Sequence, residues 1–345
     1  MEFAFIIEKF ILIIIVFVIT LVIAMYSTLA ERKVAGFMQD RLGPDRAGIF
    51  GILQPLCDGG KFFFKEEIIP AGAHRPLFIL GPTLAIITAC IGSAVIPWGQ
   101  ALTIDDRVVE LQVADVNVGI LYIFGVVALG VYGIMLGGWA SNNKFSLMGA
   151  VRAASQSISY ELAMGLSIIA LLMVTQSLSL KEIVAQQEGF VNWNIWGQPL
   201  GFLIFLICAF AETNRVPFDL PECETELVGG YHTEYSSMKL GLYMFSEYIN
   251  MFVSSALMAA IYFGGYNFPF MYDLGLSANW ITIIGVFVFF IKIIAFIFFF
   301  MWIRWTLPRF RYDQLMNLGW KMLIPLALAN IALTGVFIIL KDKFF

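Results

Sequence analysis

Runs of about twenty apolar residues recur eight times along this chain, and a bilayer is the solvent that can accommodate so many of them. They lie near 10–30, 77–97, 117–139, 159–177, 198–213, 238–263, 280–303 and 321–341. The run at 159–177 starts with a Glu inside it, and the one at 198–213 is short. Over the 345 residues 60% are hydrophobic and only 13% charged, where a soluble domain carries about 25% charged residues. The predicted fold class is therefore an all-α integral membrane protein, a single polytopic domain over 1–345. The first run follows Glu2 and Glu8 and ends at Glu31-Arg32-Lys33. It is too long, and its flanking charge has the wrong sign, for a cleaved leader, so it reads as a retained first helix.

Alternation of the spans places loops 31–76, 140–158, 214–237 and 304–320 on one side. That side carries fifteen Lys and Arg residues: Arg32, Lys33, Arg41, Arg46, Lys61, Lys65, Arg75, Lys144, Arg152, Arg215, Lys239, Arg304, Arg309, Arg311 and Lys321. The other side carries five, Lys9, Arg107, Lys181, Lys341 and Lys343, and Lys292 falls within the seventh span. The bias predicts that these four loops are cytoplasmic and that both termini face outward. No basic run is long enough to track a phosphate backbone, so nucleic acid is not an expected partner.

The first cytoplasmic loop has a pattern of its own. Between Ile49 and Lys65, the residues Leu53, Leu56 and Phe63 share one helical face, while Gln54, Asp58, Lys61 and Lys65 share the opposite one. This predicts an amphipathic helix lying flat at the membrane surface, in contact with lipid. Gly59 and Gly60 each weaken such a helix by about 1 kcal/mol, which leads us to expect close packing there.

Charged residues inside apolar spans cost about 2.5–3.5 kcal/mol and commonly line ion paths. Glu161 opens one span, Glu212 closes another in CAFAETNR, Glu247 sits within LYMFSEYIN, and Lys292 lies in a Phe- and Ile-rich run. Loop 214–237 adds Asp219, Glu222, Glu224, Glu226 and Glu234. Glu222, Glu224 and Glu226 alternate, a spacing that cannot form one helical face, and Pro217 and Pro221 favour an irregular course, so a charged vestibule is expected. Cys57, Cys90, Cys208 and Cys223 are scattered without a CxxC pair, and His74 and His232 stand alone. No metal site or iron–sulfur cluster is expected in this chain, so any electrons must come from another subunit.

The segment ERKVAGFMQDRLGP at 31–44 closely resembles the first cytoplasmic loop of the quinone-site membrane subunit of respiratory complex I. That family comprises the H subunit of bacterial NADH:quinone oxidoreductase and its mitochondrial counterpart, subunit 1. QPLCD at 54–58, QSISYE at 156–161, AETNRVPFDLPE at 211–222, ETELV at 224–228, Glu247-Tyr248 and RFRYDQLM at 309–316 continue the resemblance in order along nearly the whole chain. Asp45, where the family often has Asn, and Gly59-Gly60, where it has bulkier residues, depart from the pattern and leave the choice between ubiquinone and menaquinone open.

The resemblance implies a proton-translocating NADH:quinone oxidoreductase, a translocase of the bacterial inner membrane, in which this chain forms much of the quinone tunnel. It implies a tunnel lined by Glu31, Arg32, Asp58, Tyr248, Arg304, Arg309 and Arg311. It also implies a proton path along Glu161, Glu212, Glu222, Glu224, Glu226, Glu234 and Glu247. FMN and iron–sulfur clusters belong to partner subunits in this reading, with no catalytic redox centre here. The implied partners are the peripheral-arm iron–sulfur and quinone-site subunits together with small and antiporter-like membrane subunits. Two alternatives stand beside it: the homologous membrane component of a membrane-bound hydrogenase, and a stand-alone cation or proton transporter.

Overall fold

The computed structural model describes residues 2–104, 107–271 and 275–344. Thirteen α-helices occur among them: α1 (Glu2–Met38), α2 (Gln54–Phe64), α3 (Arg75–Gly92), α4 (Gly119–Ala140), α5 (Lys144–Thr175), α6 (Leu180–Gln186), α7 (Asn194–Gly197), α8 (Pro199–Glu212), α9 (Glu224–Leu227), α10 (Ser237–Tyr262), α11 (Ala278–Thr306), α12 (Tyr312–Asn317) and α13 (Ile324–Phe344). A π-helical turn, Leu318–Leu323, makes α12 and α13 continuous. The strands β1 (Leu102–Ile104) and β2 (Arg107–Val109) pair antiparallel.

Among the described residues seven helices are long and apolar enough to cross a membrane: α1, α3, α4, α5, α10, α11 and the α12–α13 unit. The eighth apolar helix, α8, has 14 residues. It rises only about 21 Å against a hydrocarbon core of about 30 Å. The fold is all-α, with the membrane-spanning character the apolar runs demand.

The helices overrun the apolar runs where polar residues continue the helical register. Residues 144–158, expected as loop, instead form the first four turns of α5. Their Ser, Ala and Gly side chains carry no apolar run but pack closely, and Ser146, Gly149, Ala150, Ala153 and Ala154 are buried. Asn143 caps this helix by accepting a hydrogen bond from the Phe145 N–H at 2.8 Å. The turn from α4 to α5 is consequently only 141–143, tight enough that a Cβ on Gly138 would stand 2.4 Å from that of Ala150. Residues 312–317, expected within a loop, form α12 for a similar reason: Tyr312, Leu315 and Met316 pack back on the bundle.

Helix α10 is central. Ile249, Phe252, Ala256, Met258, Ala259, Ala260, Ile261 and Tyr262 have essentially no exposed surface, and α3, α1 and α11 pack around them. Helices α1, α11 and the end of α13 turn Phe10, Phe287 and Phe337 outward, the pattern expected where lipid is the solvent. Lys292 of α11 serves the backbone. Its ammonium donates to the carbonyls of Phe263, Gly265 and Asn267 at 2.6–2.8 Å, closing the chain just past the end of α10, and lies 4.6 Å from the Trp193 ring. A cation at the carboxyl end of a helix meets the negative pole of the dipole and its orphan carbonyls.

The amphipathic helix is present as α2, shorter than the predicted 49–65 because the left-handed Phe50 interrupts the backbone ahead of it. Among the described residues nothing packs against Gly59 or Gly60: a Cβ at either would meet open space. The close packing expected there is absent within the described part of this chain.

Candidate functional site

Two clusters of charge form at the end of the bundle where α1 and α11 finish and α10 begins. The first is built around Glu31, near the end of α1 and almost fully buried. Arg215, from the loop after α8, donates to Glu31 Oε2 at 3.1 Å. The Tyr248 hydroxyl donates to the same oxygen at 2.9 Å, and Arg304 at the end of α11 pairs with Glu31 Oε1. The Arg215 guanidinium also lies 4.1 Å from the centre of the Tyr248 ring. One carboxylate thus faces two arginines and a phenol, and the desolvation of each ion is offset only because the others stay in place.

Burial works against the charge on Arg215, but Tyr248, Glu31 and Glu247 outweigh it and hold the guanidinium firmly protonated. Its Nε and Nη2 have no hydrogen-bond partner among the described residues.

Arg32 turns away from this knot. It pairs with Asp58 of α2 at 2.6 Å, where Gln54 at 3.0 Å and Lys61 at 3.4 Å also reach the carboxylate. Partial burial pushes the Asp58 pKa up, but the Gln54 hydrogen bond and the Arg32 charge prevail and hold it below the usual carboxylate value. Arg309 pairs with Asp219 at 2.7 Å and reaches Cys223 Sγ at 3.2 Å. Asp219 is pushed up to about 7 by burial and by the carboxylate of Glu222, against the pull of Arg309 and Arg304. Arg311 joins none of these groups; it is exposed and pairs with Asp313, two residues on.

The second cluster is acidic. Glu247 accepts from the Tyr231 hydroxyl at 3.1 Å and is hydrogen-bonded to Glu222. Burial and these two carboxyls keep the Tyr231 hydroxyl protonated well above its ordinary pKa. Glu222 also approaches His232 Nδ1 at 3.4 Å. A cavity of about 30 Å³ lies between Glu247 and Glu212, walled by Ser157, Ser246, Tyr231 and Asn250. That is room for a water molecule, and Glu212 Oε2 beside it is buried with no protein partner among the described residues. Glu161, one turn beyond Ser157 on α5, is close enough to Glu212 for their charges to interact. It lines an open apolar groove of about 550 Å³ between α4 and α5.

Glu226 and Glu234 stay outside this set. The first is exposed and paired with Arg152 at 2.6 Å; the second accepts from Asn143 at 2.5 Å. The side chain of Glu224 lies outside the described residues.

The acidic loop, expected as a charged vestibule, folds inward. Gln156 of α5 donates to the carbonyls of Ala211 and Phe218 at 2.8 and 2.7 Å. Gly230, at φ +62°, crosses so near Pro221 that a Cβ would stand 1.7 Å from its carbonyl oxygen. Arg215, Asp219, Cys223 and Tyr231 are buried as a result. Arg215 and Asp219 were not among the expected tunnel or proton-path residues. The signal for them is their position in the uninterrupted string AETNRVPFDLPE, where Arg215 and Asp219 share a short loop with Pro217, Phe218 and Pro221. Among the described residues no group of three or more His, Cys, Asp or Glu is arranged to hold a metal ion.

A profile of the NADH dehydrogenase family matches residues 10–335. The chain is 67% identical over 336 residues to an H subunit of NADH-quinone oxidoreductase from Cytophaga hutchinsonii, spanning 97% of this chain and 98% of that protein. It is 62% identical over 344 residues to the corresponding H subunit of Flavobacterium johnsoniae, spanning 99% and 98%. It is also 47% identical over 342 residues to an H subunit from Koribacter versatilis, spanning 95% and 96%. With an apolar bundle, buried ionic clusters at one end and a match along almost its entire length, the chain belongs to the family of NADH-quinone oxidoreductase H subunits.

Proposed function

We propose that this chain is the membrane subunit of a proton-pumping NADH:quinone oxidoreductase, in which it forms much of the quinone tunnel and ties quinone reduction to proton movement. The observation that carries the reading is the pair Glu247-Tyr248 on α10. Tyr248 hydrogen-bonds Glu31 in the ionic knot, and Glu247, one peptide bond away, belongs to the acidic chain. An event among the arginines and an event among the carboxyls therefore share one turn of one helix.

In this reading the quinone headgroup, of ubiquinone or menaquinone, is guided by Glu31, Arg32, Asp58, Tyr248, Arg304 and Arg309. Arg311 serves the docking surface instead, since it stands exposed. An isoprenoid tail needs an apolar route, and in this reading it passes between α1, α2 and α10, next to the polar groups. Protons consumed at the headgroup change the field felt by Glu222 and Glu247. The change passes through Glu212 and the water-sized cavity to Glu161, and from there to membrane partners. Electrons arrive from flavin and iron–sulfur clusters in peripheral subunits docked on the basic loops. With the short α8 taken as the eighth crossing, both termini lie on the outer face of a bacterial inner membrane, following the distribution of Lys and Arg. The relatives carry quinone-oxidoreductase names, which favours this reading over the hydrogenase-type and transporter alternatives.

The test is a photoaffinity quinone applied to the complex purified in mild detergent. Labelling of peptides around Glu31, Tyr248 and Arg304, competed by excess quinone, is the expected result. Labelling confined to other subunits, or purification without flavin and iron–sulfur partners, would overturn the proposal.

A further inference from the structure

Arg215 stands between the two clusters and belongs fully to neither. Its Nη1 is held by Glu31 at 3.1 Å, and its plane rests 4.1 Å from the Tyr248 ring. Its charge is also felt by Glu247, while Nε and Nη2 remain buried without partners among the described residues. A buried charged donor left unsatisfied is costly, so this arrangement is poised between alternatives. Glu31 has a second cation in Arg304, which can keep the carboxylate compensated if Arg215 turns away. Glu247 has no such second cation among the described residues; its other close neighbours are Glu222, Asp219 and Tyr231.

We propose that Arg215 is the positioning residue that carries the charge state of the Glu31 knot to the acidic chain, by moving its guanidinium between Glu31 and Glu247. Negative charge arriving beside Arg304 draws that arginine from Glu31, and Glu31 then tightens its hold on Arg215. Loss of the charge releases Arg215 toward Glu247. The planar guanidinium suits this exchange because it presents several donors at once and slides over the Tyr248 ring without losing its contact. The inference rests on the carboxylate reading given above and adds the link between its two halves.

The experiment uses the assembled complex with Arg215→Lys, Arg215→Met and the double variant Glu31→Gln/Arg215→Met, reading quinone reductase rate and protons moved per electron separately. Lysine keeps the charge but presents a single point of contact. We expect Arg215→Lys to keep at least half the reductase rate while the proton-to-electron ratio falls at least twofold. Arg215→Met alone should lose about tenfold in both readings. The double variant, which removes the charge and its partner together, should assemble and show a proton-to-electron ratio reduced at least twofold at whatever reductase rate remains.

A wild-type ratio in Arg215→Lys, or rate and pumping falling in equal proportion in every variant, would overturn the inference. If Arg215→Lys does not assemble, the double variant decides through its proton-to-electron ratio: a wild-type ratio overturns the link, and a ratio reduced at least twofold supports it. Glu212→Gln measured in parallel separates the failures. Pumping lost in Glu212→Gln but intact in Arg215→Lys removes only this inference, whereas pumping intact in both removes the carboxylate reading as well.

Discussion

The Glu31 knot and the Glu212–Glu247 chain lie side by side yet handle buried charge in opposite ways. Around Glu31 every described ion has a counter-ion or a hydrogen-bonding phenol: Arg215, Arg304 and Tyr248 converge on one carboxylate. Around Glu212, Glu222 and Glu247 the neighbours are mostly other carboxyls, with a water-sized gap and, among the described residues, one unpartnered oxygen. The first arrangement fixes charge in place. The second is suited to gaining and losing protons, because each carboxyl changes what the next one feels. A chain that held only paired charges would bind an anionic or polar headgroup but could not pass a proton onward; one with only like charges could not orient the headgroup.

This contrast predicts effects that decrease in order. Glu31→Ala leaves two arginines without their shared partner, and breaking a buried ion pair in this way costs about 3–5 kcal/mol. Yield of the assembled complex and its thermal midpoint should both drop sharply; a near-normal midpoint would show that the knot is not structural. Lys292→Met removes three hydrogen bonds to carbonyls far from both clusters. The thermal midpoint should fall by several degrees while the proton-to-electron ratio holds, and a changed ratio would mean that Lys292 belongs to the path after all.

Asp219 gives a pH signature. Its carboxyl titrates near 7 in the folded protein, above the ordinary carboxylate value. Between about pH 4 and 7 the folded state keeps a proton that the unfolded chain has released, so this group makes stability fall as pH rises and level off above 7. In Asp219→Asn the slope between pH 6 and 7 should flatten in thermal unfolding of the complex; an unchanged slope would contradict the assignment. The smallest effect is expected for Arg311→Ala, because its partner Asp313 is also exposed. Quinone reduction should be unchanged, and a large loss would return Arg311 to the tunnel.

Seven of the eight spans were legible in the sequence because an apolar run of about twenty residues has one physical meaning, and the family was legible because its charged motifs are long. Residues 144–158 were not legible as helix, since Ser, Ala and Gly pack tightly without raising hydropathy. The buried place of Arg215 was equally hidden, because a cation in a loop counts toward the positive side of a membrane whether it faces water or protein. Glu226 and Glu234 share the composition of Glu222 but not its position. Only the inward fold of the loop, pinned by Gln156 and Gly230, separates the carboxyl at the Glu247 cluster from those at the rim.

The claim that the like-charged cluster carries protons is tested most directly by protons moved per electron in the assembled complex bearing Glu212→Gln. Glutamine keeps the shape and hydrogen-bonding capacity of the side chain but cannot take up and release a proton at neutral pH. A ratio reduced at least twofold, with the photoaffinity quinone still labelling the Glu31 region, is the predicted result. A wild-type ratio together with a wild-type reductase rate would contradict the account.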